Sequence, residues 1–150
     1  AKDQNTTLHK KVDTLFQTCT HISIHCNYND ETHHLVNAER IALMPGKSFD
    51  GIACGNHIVN CARGGIIDEK ALLAALESGE LSSAALDVFE QEPVPAGNKL
   101  VQHPHFHGTP HIGAATLEAQ ARVGRDIALA VMTVLDGGQA ETTVNSHLLK

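Results

Sequence analysis

Apolar residues recur along this chain in two rhythms. Leu8, Val12, Leu15 and Phe16 follow a period of 3.6, with Thr6 or Thr7 placed to cap the helix they imply. His21 to Cys26 reads as a strand, and the polar run Asn27 to Glu31 as a loop. Asn37 can cap a short helix, Ala38 to Met44, which Pro45-Gly46 ends. KSFDGIACGN (Lys47 to Asn56) has no clear period. His57 to Cys61 is the next strand, and Gly64-Gly65 a turn. Asp68 then starts a strong helix, Glu69 to Ser78, closed by Gly79. Ala84 to Val88 is a third strand, and a proline-rich loop leads to a fourth around His105 to Thr109. Thr116 caps a long last helix, Leu117 to Leu135, closed by Gly137-Gly138, and the tail from residue 139 to 150 is expected to be extended. Strands alternating with helices imply βαβ units, right-handed crossovers and a parallel sheet. Short, nearly all-apolar strands such as AALDV suit a sheet with helices on both faces. The expected fold is therefore α/β, in a single domain.

Composition narrows the class. Of 150 residues, 42% are apolar, enough for a real core, but only 3% are aromatic, so Ala, Val, Ile and Leu must build it. The net charge of −6 and the lack of any Lys/Arg run argue against a nucleic-acid partner. No apolar stretch approaches the roughly 20 residues that span a bilayer. The first residues, AKDQNTTLHKKVD, carry no signal-peptide pattern. Cys19, Cys26, Cys54 and Cys61 form no C-x-x-C pair and read as free thiols. Together these features point to a soluble cytoplasmic protein.

The chemistry is concentrated between Ile58 and Thr116. IVNCARGGIIDE (Ile58 to Glu69), AALDVFEQEP (Ala84 to Pro93) and TPHIGAAT (Thr109 to Thr116) each place a polar group just past a short apolar run. Those groups are Arg63, Glu92 and His111. In open parallel sheets ligands sit outside the carboxyl ends of the strands, where all three fall. Arg63 can clamp a carboxylate through two parallel hydrogen bonds, although an arginine salt-bridged on a loop would look the same. A carboxylate on one ring nitrogen of His111 would fix its tautomer and make it an acid/base. Glu92 is preferred for that role, with Glu90 the competitor. Asp87 lies inside an apolar strand, where a carboxylate needs partners; it either lines a ligand or ties down a neighbouring loop. His103, His105, His107 and His111 cluster in sequence, and His105 and His107 could share a metal on one strand face, but no acidic ligand is obvious and no metal site is assigned. His33-His34 reads as a solvated loop pair.

In this order and at these spacings, the three motifs resemble the NAD-dependent D-isomer-specific 2-hydroxyacid dehydrogenases, the phosphoglycerate dehydrogenases above all. The similarity is strong from His57 to Asn145 and looser from Leu15 to Met44. It implies the second part of a Rossmann-type dinucleotide-binding domain, with NAD as cofactor. By that resemblance Arg63 holds the substrate carboxylate, His111 is the acid/base and Glu92 orients it. Ala62, Arg63, Asp87, His111 and Gly113 then line the nicotinamide side. The glutamate immediately before proline, Glu92, holds the family's position.

Four departures accompany the resemblance. A preceding substrate domain is not in this chain, nor is the first βαβ unit, since no G-x-G-x-x-G occurs. Asn27 stands where the family has a proline, and Lys47 to Asn56 looks like an insertion. The expected function is hydride transfer between NAD and a small 2-hydroxy or 2-oxo acid such as 3-phosphoglycerate, with this chain supplying the catalytic motifs and incomplete alone. The alternatives are a non-catalytic truncated fragment that folds and oligomerises, and a metal-binding protein using the histidine cluster. A sheet that has lost neighbouring strands has an unprotected edge, so a homodimer is expected.

Overall fold

Ile22 and Ile24, Ile58 and Asn60, Ala84 and Leu86, and Phe106 are buried, while Ser23, Val59 and Ala85 between them are exposed or half-buried. That alternation decides which face of the sheet meets the core. In the computed structural model, which describes residues 6–148, these residues lie on β1 (His21–Ile24), β2 (His57–Asn60), β3 (Ser83–Leu86) and β4 (Phe106–Gly108). The sheet runs in the order β1-β2-β3-β4 and every pairing is parallel. The register sets Ile22, Ile58, Ala84 and Phe106 in one apolar row. Each expected strand is present but stops short at its carboxyl end, where the chain turns away into the loops that carry the polar groups.

Three helices complete this part: α1 (Val12–Thr18), α2 (Ala38–Ile41) and α3 (Glu69–Ser78). Phe16, Ile41 and Leu72 from these helices join the inward strand residues and Ile66, Ile67 and Val36 in one core cluster. The third helix behaves as its sequence implies. Asp68 caps it by accepting from the Lys70 and Ala71 amides at 3.0 and 3.1 Å. Gly79 ends it in left-handed conformation at φ 82°. Leu72, Ala75 and Leu76 are its buried stripe.

The other two helices are shorter than their periodicity suggests. α1 begins at Val12 with Lys11 as its N-cap, and no side chain caps it. Thr6 and Thr7 do not start it, and Leu8 stays exposed; an extra turn with nothing to pack against is not stable. In α2, Asn37 caps as expected by accepting from the Arg40 amide at 3.1 Å. Past Ile41 the chain tightens, since the Leu43 and Met44 amides bond to the carbonyls of Arg40 and Ile41, three residues back.

Lys47 to Asn56 is an excursion at the amino end of β2, closed by an antiparallel bridge between Lys47 and Ala53. Its tip exposes Phe49 and Ile52. Buried Asn56 ties it down, accepting from the Gly46 amide at 2.8 Å and donating to the Glu80 carbonyl at 3.0 Å. The excursion therefore lies at the sheet end opposite the loops that carry Arg63 and Glu92.

The chain divides into two compact units, Ala1–His111 and Ile112–Lys150. The second unit is built on α4 (Leu117–Leu135), whose N-cap Thr116 accepts from the Ala119 amide at 3.1 Å. None of its residues is buried, and Leu117, Ile127, Met132 and Leu135 are all exposed. The tail, expected to be extended, instead forms a 3-10 turn at Ser146–Leu148. Among the described residues no helix is long and apolar enough to cross a membrane.

Leu72 has no exposed surface, so Leu72→Ala should lower the unfolding free energy by about 2–5 kcal/mol. Leu8→Ala, at a position 79% exposed, should stay within about 0.5 kcal/mol of the parent. Urea unfolding midpoints read both, and equal losses from the two would contradict this assignment of the core.

Candidate functional site

The turn after β2 is shaped by a buried asparagine. Asn60, only 1% exposed, accepts from the Ala62 amide and donates to the Arg63 carbonyl, both at 2.9 Å. Its amide thus closes the turn that presents Arg63. The guanidinium is exposed, and Nη1 donates to the Ala62 carbonyl at 2.6 Å. Gly64 follows, and a Cβ there would lie 1.9 Å from the Phe89 carbonyl oxygen. Only glycine allows that approach of one backbone to another. No motif marks Asn60; its signal in the sequence is a polar residue at an inward position of a strand.

The loop after β3 carries the carboxylates. Asp87, 4% exposed, accepts from the Thr109 hydroxyl at 2.5 Å, which ties the β3 end to the T-P-H segment after β4. Of the two roles open to Asp87, the loop tie is therefore formed directly. Glu92 Oε1 accepts from the Phe89 amide at 2.9 Å and closes the E-Q-E turn. Glu92 Oε2 faces His111 Nδ1 at 2.8 Å. Glu92, not Glu90, is thus the carboxylate on His111. His111 itself has left-handed backbone at φ 54°, a conformation L residues seldom adopt and one that recurs at functional sites. Its hydrogen bond to Glu92 comes first among the causes that hold the Glu92 carboxyl below the usual range; the Phe89 N–H comes second.

Two of the cavities at this edge hold the expected residues. One, of about 670 Å³, is lined by His25, Cys26, Asn27, Tyr28, Cys61, Ala62 and Arg63. The other, of about 630 Å³, is lined by Phe89, Glu92, Pro93, Val94, Pro110 and His111. The structure therefore joins Glu92 to His111 directly and leaves Arg63 in a separate cavity, with Ala62 beside it. Gly113 belongs to the second unit.

Two expectations about histidines change. His103 and His105 have ring centroids 5.8 Å apart, and among the described residues no group of three or more His, Cys, Asp or Glu is placed to hold a metal. The metal-binding alternative has no support. His33-His34 is not merely a solvated pair. Its rings stack at 4.0 Å, and His34 Nε2 lies 3.1 Å from Glu90 Oε1, a partner 56 residues away that no local pattern reveals.

Removing the imidazole should release Glu92. In His111→Leu the Glu92 carboxyl should titrate closer to an ordinary glutamate, about 4.3. A depressed carboxylate contributes stability above its unfolded value and loses that contribution as pH falls through its folded value. The His111→Leu chain should accordingly lose less stability across the acid range. Carbon-13 titration of the Glu92 carboxyl and urea midpoints at stepped pH read this, and an unmoved Glu92 midpoint would contradict the assigned pair.

Residues 1–113 match the family described as D-isomer specific 2-hydroxyacid dehydrogenase, NAD binding domain. The D-3-phosphoglycerate dehydrogenase of Methanocaldococcus jannaschii is 44% identical over 137 residues, covering 89% of this chain and 24% of the relative. The glyoxylate reductase of Thermofilum pendens is 37% identical, covering 93% of this chain and 39% of the relative. Among solved structures, a Granulicella formate dehydrogenase superposes with a TM-score of 0.83 at 29% identity, over 94% of this chain and 35% of its own. A Xanthobacter autotrophicus D-isomer specific 2-hydroxyacid dehydrogenase, solved with NADPH and MES, gives 0.71 at 31% identity, over 89% of this chain and 51% of its own. The chain spans about a quarter of the length of the phosphoglycerate dehydrogenases it matches. With its parallel sheet, its strand-end motifs and this match, the chain belongs to the NAD-binding domain family of the D-isomer specific 2-hydroxyacid dehydrogenases.

Proposed function

We propose that this chain supplies the catalytic-motif half of a dehydrogenase that reversibly oxidises a D-2-hydroxy acid to a 2-oxo acid, 3-phosphoglycerate being the favoured substrate from its relatives. The observation that carries this is the 2.8 Å contact between His111 Nδ1 and Glu92 Oε2 at the carboxyl edge of the sheet. With Nδ1 committed to the carboxylate, Nε2 is the ring nitrogen that meets the substrate hydroxyl and takes its proton. Glu92 holds the imidazolium that results. Arg63 binds the substrate carboxylate with two parallel bonds and orients the reacting carbon. Phe89, Pro93, Val94 and Pro110 give the cavity beside the pair apolar walls that limit water.

NAD fits one end of this arrangement. The cavity beside Ala62 and Arg63 opens at the strands' carboxyl ends, where such sheets bind dinucleotides. Ala62, Arg63, Asp87 and His111 would face the nicotinamide, which when bound supplies the hydride acceptor. The phosphate end has no glycine-rich turn in this chain. All four cysteines are free, and we place the protein in the cytoplasm, which keeps thiols reduced.

A second reading is a domain that folds without turnover of its own. It is compatible with self-association, since β1 and β4 are the edges of the four-stranded sheet. We infer a homodimer, which light scattering would read.

In the complete enzyme, His111→Gln should lower kcat roughly 10²- to 10⁴-fold. Arg63→Lys should mainly raise KM, because lysine cannot reproduce the bidentate clamp. Steady-state kinetics on the 2-hydroxy acid decide this, and normal turnover by His111→Gln would sink the proposal. For the 150-residue chain alone, calorimetry should show NAD binding no tighter than about 1 mM, near −4 kcal/mol. Micromolar binding would show that the chain holds a phosphate cradle of another kind.

A further inference from the structure

Among the described residues, two that are not glycine have left-handed backbone: His34 at φ 48° and His111 at φ 54°. They hold the two carboxylates of one short turn. His111 Nδ1 lies 2.8 Å from Glu92, and His34 Nε2 lies 3.1 Å from Glu90. His34 is kept in place by its own amide, which bonds to the Gly65 carbonyl at 2.8 Å beside the Arg63 turn. Its ring stacks on His33.

Glu90 is also tied to the first residue of α3 in both directions. The Glu69 amide donates to Glu90 Oε1 at 3.1 Å, and the Glu90 amide donates to Glu69 Oε1 at 2.6 Å. The first of these bonds serves the helix start. The second does nothing for the helix, which Asp68 already caps, and it orders the turn instead. Phe89, just before Glu90, has its carbonyl packed on Gly64. Two residues past Glu90, Glu92 has one oxygen on the Phe89 amide and the other on His111. The direction in which Glu92 reaches His111 thus depends on where the Glu90 corner sits.

We propose that Glu69 and His34 are positioning residues for the Glu92–His111 pair, acting through the Glu90 corner of the turn. The proposal rests on the reading of that pair as the proton-handling pair. The charged groups around the corner come from three elements. Asp68 Oδ2 is 3.9 Å from His34 Nδ1, Glu69 and Glu90 face each other, and Asp87 lies near Glu92. Burial raises the Glu69 carboxyl above the usual range while the Glu90 N–H opposes that rise, as expected for an enclosed group held by this bond.

The test is carbon-13 titration of the Glu92 carboxyl in the 150-residue chain. Glu69→Ala removes the acceptor for the Glu90 amide, and Glu69→Gln keeps one. His34→Asn retains a residue tolerated in left-handed backbone but too short to reach Glu90. Ile41→Val loosens the core far from the turn. Glu69→Ala and His34→Asn should move the Glu92 midpoint up toward an ordinary glutamate, with Ile41→Val unchanged and Glu69→Gln not raised, since loss of the Glu69 charge by itself pulls the midpoint down. An unmoved midpoint in Glu69→Ala and His34→Asn overturns the proposal, as does an equal shift in all four. If Glu69→Ala does not fold, His34→Asn decides alone by the same criterion. In the complete enzyme, Glu69→Ala should lower kcat on the order of 10-fold and leave KM in place. Should His111→Gln retain turnover there, the catalytic reading falls, and the Glu92 midpoint still decides whether Glu69 and His34 position the pair.

Discussion

Two turns meet backbone to backbone at the carboxyl end of the sheet, where Gly64 lies against the Phe89 carbonyl. No side chain fits between them, so the turn that presents Arg63 and the turn that presents Glu92 cannot move independently. The remaining contacts at this edge build on that approach. Asn60 closes the first turn from beneath, and the Phe89 amide closes the second on Glu92. Asp87 reaches across to Thr109 and fixes the segment on which His111 follows two residues later. A parallel sheet makes such an arrangement natural. All its strands end at one edge, and the loops there are neighbours however far apart they lie in the chain.

The edge is also crowded with carboxylates: Asp68, Glu69, Asp87, Glu90 and Glu92. Like charges so close would repel, and the structure answers with donors rather than with cations alone. Asp68 takes two helix amides, and Glu69 and Glu90 take each other's amides. Glu92 takes one amide and one imidazole. Hydrogen bonds to the charged form favour ionisation, which is why Glu92 stays below the usual range although Asp87 pushes the other way. Glu69, more enclosed than Glu92, shows the opposite balance. Neighbouring glutamates of one site thus differ in proton affinity through burial and donor count.

The Lys47 to Asn56 excursion leaves the sheet intact. It leaves from the amino end of β2 and returns through a single bridge. The register of β2 with β1 and β3 runs uninterrupted from His57 to Asn60 beside it. Surface loops lengthen at little cost in closure entropy, so the carboxyl edge of the sheet is undisturbed.

Local pattern determined much of this protein. The 3.6 period of Leu72, Ala75 and Leu76, with Asp68 before them and Gly79 after, specified α3 at both ends, because caps and glycine act through their own backbone. Apolar strand runs, each followed by a polar residue, located the edge where Arg63, Glu92 and His111 lie. Periodicity misled at Leu8, where a helical rhythm continues past the packing that would sustain it, and at Met44, which is buried in the core but reached through bonds three residues back. The sequence already favoured Glu92 over Glu90 as the partner of His111, but tertiary structure alone decided that His34 holds Glu90, that Glu69 exchanges bonds with it, and that Arg63 lines a cavity with the loop after β1. Each of these depends on how strands far apart in sequence are set side by side. Propensity and periodicity act within a turn or two of chain, whereas a hydrogen bond between residues 56 positions apart exists only once the sheet has fixed its register.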